Sequence, residues 1–121
     1  MAEPQSEWTL EWYTTTGGST PLQTFVERLI GRNKAEAIAL IELLQKWGNQ
    51  LRAPRSQALR NGLFELRGHE VRIFYIFQPG RQIVLLDGIL KKQDRIPTAV
   101  LERVRQYQRE IEEKAKKAQR G

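Results

Sequence analysis

The chain has 121 residues, 40% hydrophobic and 28% charged, which suits one globular domain with a single core and is too apolar for full disorder. It has no cysteine and one histidine, His69, so disulfides, thiolate metal sites and cysteine nucleophiles are excluded, and any histidine chemistry falls to one residue. The net charge is +6, no apolar run is long enough to cross a membrane, and the acidic, polar start Met1-Ala2-Glu3-Pro4-Gln5 is unlike a signal peptide, so a cytoplasmic protein is expected.

Trp8-Thr9-Leu10-Glu11-Trp12 alternates apolar and polar residues, the period of a half-buried strand. Thr14 to Ser19 reads as a loop. Thr20, Pro21 and Gln23 then mark a helix start: a capping hydroxyl, a proline at the first helical position and a capping-box partner. Leu22, Phe25, Val26, Leu29 and Ile30 follow at helical spacing, with Gly31 as the expected stop. Asn33 and Glu36 repeat the capping pattern and open a second helix to Trp47, with Ile38, Ile41, Leu44 and Trp47 as its buried stripe and Gly48 as its end. So short a link makes the two helices a hairpin.

Residues 49–62 are polar and arginine-rich and read as an irregular connection. Three strands are expected next, Leu63 to Arg67, Val71 to Gln78 and Ile83 to Leu90, with a type II turn pattern at Pro79-Gly80. Their continuous apolar runs suit sheet interior. Pro97 opens a last helix whose buried stripe is Val100, Val104, Tyr107 and Ile111. Its basic end, Lys114 to Lys117, complements the helix dipole and is expected to fray. The order β-α-α-β-β-β-α predicts a single α+β domain over residues 1–121, a mostly antiparallel sheet with helices packed on it. The first strand joins one edge, and its partner stays open. Trp8, Trp12 and Trp47 read as core anchors.

The charge is unevenly spread. Residues 1–51 carry net −2, residues 52–95 carry nine basic and four acidic side chains for net +5, and residues 96–121 carry net +3. The basic side chains of the middle segment are mostly arginine, whose planar forks match phosphate oxygens and stack on bases. An anionic partner, nucleic acid or an acidic protein segment, is the natural reading, and a solvated face that keeps the protein soluble is the plain one. No glycine-rich phosphate cradle is present. Glu65, Asp87 and His69 lack any metal-ligand spacing, so neither metal nor cofactor is expected. RNA scission needs no metal when the 2′-hydroxyl is the nucleophile. Fixed guanidinium and ammonium groups stabilise the phosphorane, and a lysine or histidine shuttles protons. A basic sheet suits this chemistry, and equally suits RNA binding alone.

Gly62-Leu63-Phe64-Glu65-Leu66-Arg67, Val71-Arg72-Ile73-Phe74-Tyr75, Ile83-Val84-Leu85-Leu86-Asp87-Gly88-Ile89-Leu90-Lys91-Lys92 and Pro97, in this order, resemble the RelE/ParE superfamily of bacterial toxins in its phage-derived HigB-like branch. The helix pair with Thr20-Pro21-Leu22 and Phe25 also fits, so the resemblance spans roughly residues 8–112. It implies a RelE-like fold and the toxin of a type II toxin–antitoxin pair, a ribosome-dependent, metal-independent mRNA endonuclease neutralised by an antitoxin of helix-turn-helix type. It further implies that Arg72 grips the scissile phosphate, that Arg67 and the Lys91-Lys92 pair hold RNA, and that one lysine moves a proton. The alternatives are a ParE-like toxin that binds gyrase, or a degenerate member that binds RNA without cutting it. The sequence departs from the family at Asp87, where a histidine is common before this glycine. An aspartate there repels phosphate, yet can act as a base or orient a lysine.

Around these residues, Arg52, Arg55, Arg60 and Arg95 form a candidate phosphate track or antitoxin patch, and His69 is a further candidate for proton transfer. Each has a plainer role open to it: Arg72 as an ion-pair partner of Glu65, Arg67 of Glu70, His69 as a turn residue, Tyr75 as core.

Overall fold

The computed structural model describes residues 7–91 and 95–120, with side chains to residue 118. Its elements are β1 (Thr9–Trp12), α1 (Pro21–Arg28), α2 (Gly31–Trp47), β2 (Ser56–Ala58), β3 (Leu63–Arg67), β4 (Val71–Gln78), β5 (Gln82–Leu90) and α3 (Thr98–Arg120). The five strands form one sheet in the order β1-β5-β4-β3-β2, antiparallel except that β1 runs parallel to β5. The expected α+β class and mostly antiparallel sheet are therefore observed, and β1 finds its partner in β5. The sheet also gains a strand that sequence reading missed. β2 is three residues long, with Gln57 and Ala58 exposed, and pairs with β3 through Ser56–Leu66, Gln57–Glu65 and Ala58–Phe64. A short polar edge strand has no alternation to betray it, because neither of its faces is fully buried.

The sheet is covered on both faces. α1 and α2 pack on one side over Leu66, Val71, Ile73, Tyr75, Ile83 and Leu85, and α3 packs on the other over Leu63, Phe74, Ile76, Val84 and Leu86. β4 shows how one run serves both. Val71, Ile73 and Tyr75 face α1 and α2, and Phe74 and Ile76 face α3. Such a strand reads as continuous apolar sequence with Arg72 as its single interruption.

Several local expectations are corrected. α1 ends at Arg28, and Gly31 (φ 58°) begins α2 instead of stopping α1. The extended Ile30 between them makes the corner and leaves its side chain exposed, while Leu29 turns into the core. Thr20 directs its hydroxyl to Gln23 Oε1 (3.1 Å), so the capping box closes side chain to side chain and not onto the backbone. Asn33 does not cap α2, and Glu36 does not complete a box, because both reach to the β3–β4 turn. The buried stripe of α2 is Ala37, Leu40 and Leu44, rotated from the expected one, so Ile38 faces outward. Packing chose the smaller Ala37 for the close approach, which hydrophobicity alone does not rank. Of the tryptophans, Trp8 is buried and Trp47 partly so, while Trp12 at the end of the edge strand stays 38% exposed. Gly48 ends α2 as expected, with φ 50° and the Trp8 indole so close that a Cβ would stand 2.0 Å from Nε1.

On the α3 side, Val104 is fully buried and Val100, Leu101, Tyr107 and Ile111 pack against it. Arg105 reaches from α3 to the carbonyls of Leu59 (2.6 Å) and Arg60 (2.9 Å), and Gln108 donates to that of Asn61, tying the β2–β3 hairpin to the helix.

Candidate nucleic-acid site

The α3-facing side of the sheet carries its charges in rows. Arg67 on β3 and Arg72 on β4 are direct cross-strand partners. The Arg67 N–H donates to the Arg55 carbonyl (2.7 Å), which extends the pairing beyond β2 and brings Arg55 alongside. One row further in, Glu65, Phe74 and Asp87 lie opposite one another on β3, β4 and β5. Asp87 reaches this face because of a β-bulge: the β4–β5 register shifts between Phe74 and Tyr75, and Leu86 is the extra residue. A bulge re-aims the side chain that follows it. Without it Asp87 would turn toward α1, where Gly88 now sits with its Cα against Phe25 and Leu22.

Each carboxylate of the inner row has an arginine. Glu65, 2% exposed, pairs through Oε1 with Arg67 Nε at 3.2 Å. Asp87, 6% exposed, accepts from the Gly88 N–H (2.8 Å) and pairs through Oδ2 with Arg103 Nε of α3 (3.0 Å). Glu65 therefore neutralises Arg67 and leaves Arg72 to a different role. The Arg72 Nη1 donates to the carbonyls of Gly68 (2.7 Å) and Val71 (3.0 Å), while its Nε is buried with no hydrogen-bond partner among the described residues. Glu65 Oε2 is likewise buried and unpartnered there. A guanidinium held at one edge by carbonyls keeps its full positive charge, because carbonyls orient it without neutralising it. Like-charged neighbours directly across strands destabilise a sheet, so Arg67 and Arg72 side by side are the kind of local conflict that functional sites retain.

Lys91 lies at the end of β5, 8% exposed, and its backbone N–H donates to the Glu70 carbonyl (2.7 Å), joining it to the same turn as Arg72. Lys92 lies outside the described residues. His69 is exposed in the β3–β4 turn with its backbone N–H donating to Glu36 (2.9 Å). Of the outlying arginines, Arg55 borders the arginine row, whereas Arg52 donates to the Asn49 (2.6 Å) and Leu51 carbonyls and is exposed. Arg60 sits at the other end of the β2–β3 hairpin, about 13 Å away by the rise of β3. Arg95 is exposed before α3. Tyr75 is fully buried on the opposite face, its hydroxyl bonded to Ser56 Oγ (2.6 Å), and burial raises its phenol above the ordinary value despite that bond. It is core and has no access to a base.

Arg103 is the site residue that sequence reading missed. It lies one position before the buried Val104 on a helix where Arg105 reaches the β2–β3 hairpin and Arg109 faces solvent, and only the sheet's bulge reveals its partner. Among the described residues no group of three histidine, aspartate or glutamate side chains comes together as a metal site. Two grooves lie elsewhere, one of about 490 Å³ between Tyr13, Val84 and the 111–118 end of α3, another of about 410 Å³ beside Asn61 and Arg109. The arginine row is an open, charged surface, which fits a polyanion laid across it better than a small molecule enclosed by it. No described helix is long and apolar enough to cross a membrane.

No curated protein sequence matches the chain. A chain in the crystal structure of the toxin–antitoxin complex RelBE2 from Mycobacterium tuberculosis shares the fold. It superposes with a TM-score of 0.55 at 15% identity, over 76% of this chain and 100% of that one. The model of the phage-derived Gp49-like protein family matches residues 25–109, a span that holds the arginine row, Asp87, Lys91 and Arg103. The motif resemblance to the phage-derived branch of the RelE/ParE superfamily is thus borne out by family and fold together, and the chain belongs to the phage-derived Gp49-like family.

Proposed function

We propose that this protein is the toxin of a type II toxin–antitoxin pair and a ribosome-dependent, metal-independent mRNA endonuclease, working in the cytoplasm and neutralised by a helix-turn-helix antitoxin. The observation that carries the reading is Arg72, a guanidinium oriented by two carbonyls, with no carboxylate partner and no partner for its Nε among the described residues. The family membership and the fold shared with a chain of a toxin–antitoxin complex support it.

In this reading the RNA 2′-hydroxyl gives its proton to a base or to water and attacks the adjacent phosphorus in line, and the P–O5′ bond breaks as the leaving O5′ takes a proton, leaving a 2′,3′-cyclic phosphate. Arg72 binds the scissile phosphate and stabilises the charge on its oxygens, a contribution worth about 10²–10³-fold in rate. Arg67, fixed by Glu65, holds a neighbouring phosphate, and Lys91 adds positive charge from the end of β5. His69 is exposed in the turn that precedes Arg72, with Glu36 as its charged neighbour, and is the reading's candidate for proton transfer, whereas Asp87 is committed to Arg103 and to the Gly88 N–H. Arg55 guides the strand onto the row, and Arg52, Arg60 and Arg95 extend the positive surface around it.

The Asp87–Arg103 pair favours a second reading, in which the protein binds RNA without cutting it. A buried carboxylate at this place brings negative charge where phosphate would pass, and Arg103 cancels it without adding a proton shuttle. Inducible expression in bacteria lacking the antitoxin separates the two. Growth arrest with new mRNA 5′ ends that vanish in Arg72→Ala supports the endonuclease. Arrest without new ends points to gyrase, and soluble, harmless protein that still binds RNA supports the non-cutting member.

A further inference from the structure

The turn joining β3 to β4 has its polar groups divided between two sides. On one side, the Glu36 carboxylate of α2 accepts from the backbone N–H groups of His69 (2.9 Å), Val71 (3.3 Å) and Glu70 (3.4 Å). Asn33, one turn earlier on α2, donates to Glu70 Oε2 (3.2 Å). On the other side, the carbonyls of Gly68 and Val71 hold Arg72 Nη1, and the carbonyl of Glu70 holds the Lys91 N–H. Arg72 and Lys91 are thus fastened to one four-residue turn, and the backbone of that turn is fastened to α2 by the Glu36 carboxylate, with Asn33 holding the Glu70 side chain. Gly68 is what lets the carboxylate come so close: a Cβ there would stand 2.3 Å from Glu36 Oε1 and 2.9 Å from Leu40 Cδ1.

We infer that Glu36 is a positioning residue for the arginine–lysine site, acting through the 68–71 turn to fix where Arg72 and Lys91 present their charge. The inference rests on the endonuclease reading for its effect on rate, but not for its effect on structure. A carboxylate accepting three N–H bonds leaves the turn one arrangement, and the carbonyls on its far face then have fixed directions. Without it the turn needs other acceptors for those donors, water being the nearest, and the carbonyls that aim Arg72 are free to rotate. A displacement of about 1 Å at a group that binds the transition state costs on the order of 10²-fold in rate. Glu36 reaches no phosphate itself, because it sits behind the turn on the α2 side of the sheet.

The test compares Glu36→Ala and the near-isosteric Glu36→Gln with wild type in two measurements. The first needs no RNA: amide hydrogen exchange at His69, Glu70 and Val71, and the NMR signal of the Arg72 side-chain Nε–H, with the Leu85 amide as a distant reference. Faster exchange at the three turn amides, a shifted or broadened Arg72 signal and an unchanged Leu85 are expected for Glu36→Ala. Glu36→Gln, which keeps one acceptor, should fall between the two. An Arg72 signal identical in all three proteins overturns the inference. The second measurement is single-turnover cleavage of mRNA on ribosomes. Glu36→Ala should lose about 10- to 100-fold in the maximal cleavage rate with the half-saturating concentration within about threefold, partly restored in Glu36→Gln. A loss confined to the half-saturating concentration, or one that merely follows the folded fraction, overturns it. If wild type cuts nothing, the endonuclease reading fails, and the exchange and NMR result still decides whether Glu36 positions Arg72.

Discussion

The two faces of the sheet are made by alternate residues of the same strands, yet they do different things. On the α1/α2 face, β4 contributes Val71, Ile73 and Tyr75, all without solvent exposure, beneath two helices. On the α3 face the same strand contributes Arg72, Phe74 and Ile76, and only the last two lie under the helix. One helix does not cover a five-stranded sheet, so the end of the face near the β3–β4 turn remains for charge. There Arg67, Arg72, Glu65 and Asp87 interleave with apolar neighbours. Both faces carry a core, but the charged row lies only on the margin of the α3 face, so in the proposed reading substitutions in the α1/α2 core and in that row should have separable effects.

Tyr75→Ala attacks the covered face at its largest fully buried side chain. It should cost about 3–5 kcal/mol of unfolding free energy, enough to leave little folded protein, as denaturant titration will show. Arg72→Ala attacks the other face three residues away in sequence. Its stability should stay within about 1 kcal/mol of wild type while mRNA cleavage falls about 10²–10³-fold, about 3–4 kcal/mol in barrier. If both variants lose stability alike, the division between the faces is wrong. Gly88→Ala tests the faces from β5. Its new methyl would stand 2.5 Å from Phe25 Cδ2 on the α1 side, so a loss of about 1–3 kcal/mol is expected in thermal unfolding. Its neighbour across the bulge, Asp87→Asn, keeps the acceptor for the Gly88 N–H and loses only the charge paired to Arg103. About 1 kcal/mol of stability should go, because Arg103 is 44% exposed and partly solvated. RNA should bind a few-fold tighter in a salt titration as a negative charge leaves the row.

The smallest expected effect is that of pH on Glu36. Burial alone would raise its carboxyl, but the N–H groups of His69, Val71 and Glu70 outweigh burial and hold it below the ordinary carboxylate value. A carboxyl lowered by folding contributes stability that is present above the unfolded value and is lost as pH falls through the folded one. Stability of the wild type should therefore decline on the acid side of the ordinary carboxylate range. Glu36→Gln should flatten that part of the curve, with the neutral-pH difference between the two proteins shrinking as the carboxyl takes its proton.

Much of this molecule was legible in the residues. The bounds of β3 and β4, the stop at Gly48, the stripe of α3 and the α+β class follow from apolar runs and punctuation by glycine and proline, which act locally. Arg67 and Arg72 were visible because a charge in or beside an apolar run is conspicuous, whereas Arg103 was not. What was not legible depends on contacts between distant parts. β2 needed its partner β3 to exist. Asn33 and Glu36 carry a capping pattern, yet three N–H donors from a turn more than thirty residues away outbid the helix end. The ion pairs were exchanged, with Glu65 on Arg67 and Asp87 on Arg103, because a one-residue bulge in β5 and the docking of α3 set which side chains face each other.

The sequence alone therefore determined every element but β2, the basic middle segment and the family motifs, since these rest on local periodicity and composition. Only the tertiary structure decided that Arg72 has no carboxylate partner among the described residues, that Asp87 is neutralised by α3, and that α2 holds the turn beneath the site. Charge pairing falls off within a few ångströms and is directional at hydrogen-bond range, so partners are chosen by register and packing and cannot be read from spacing along the chain.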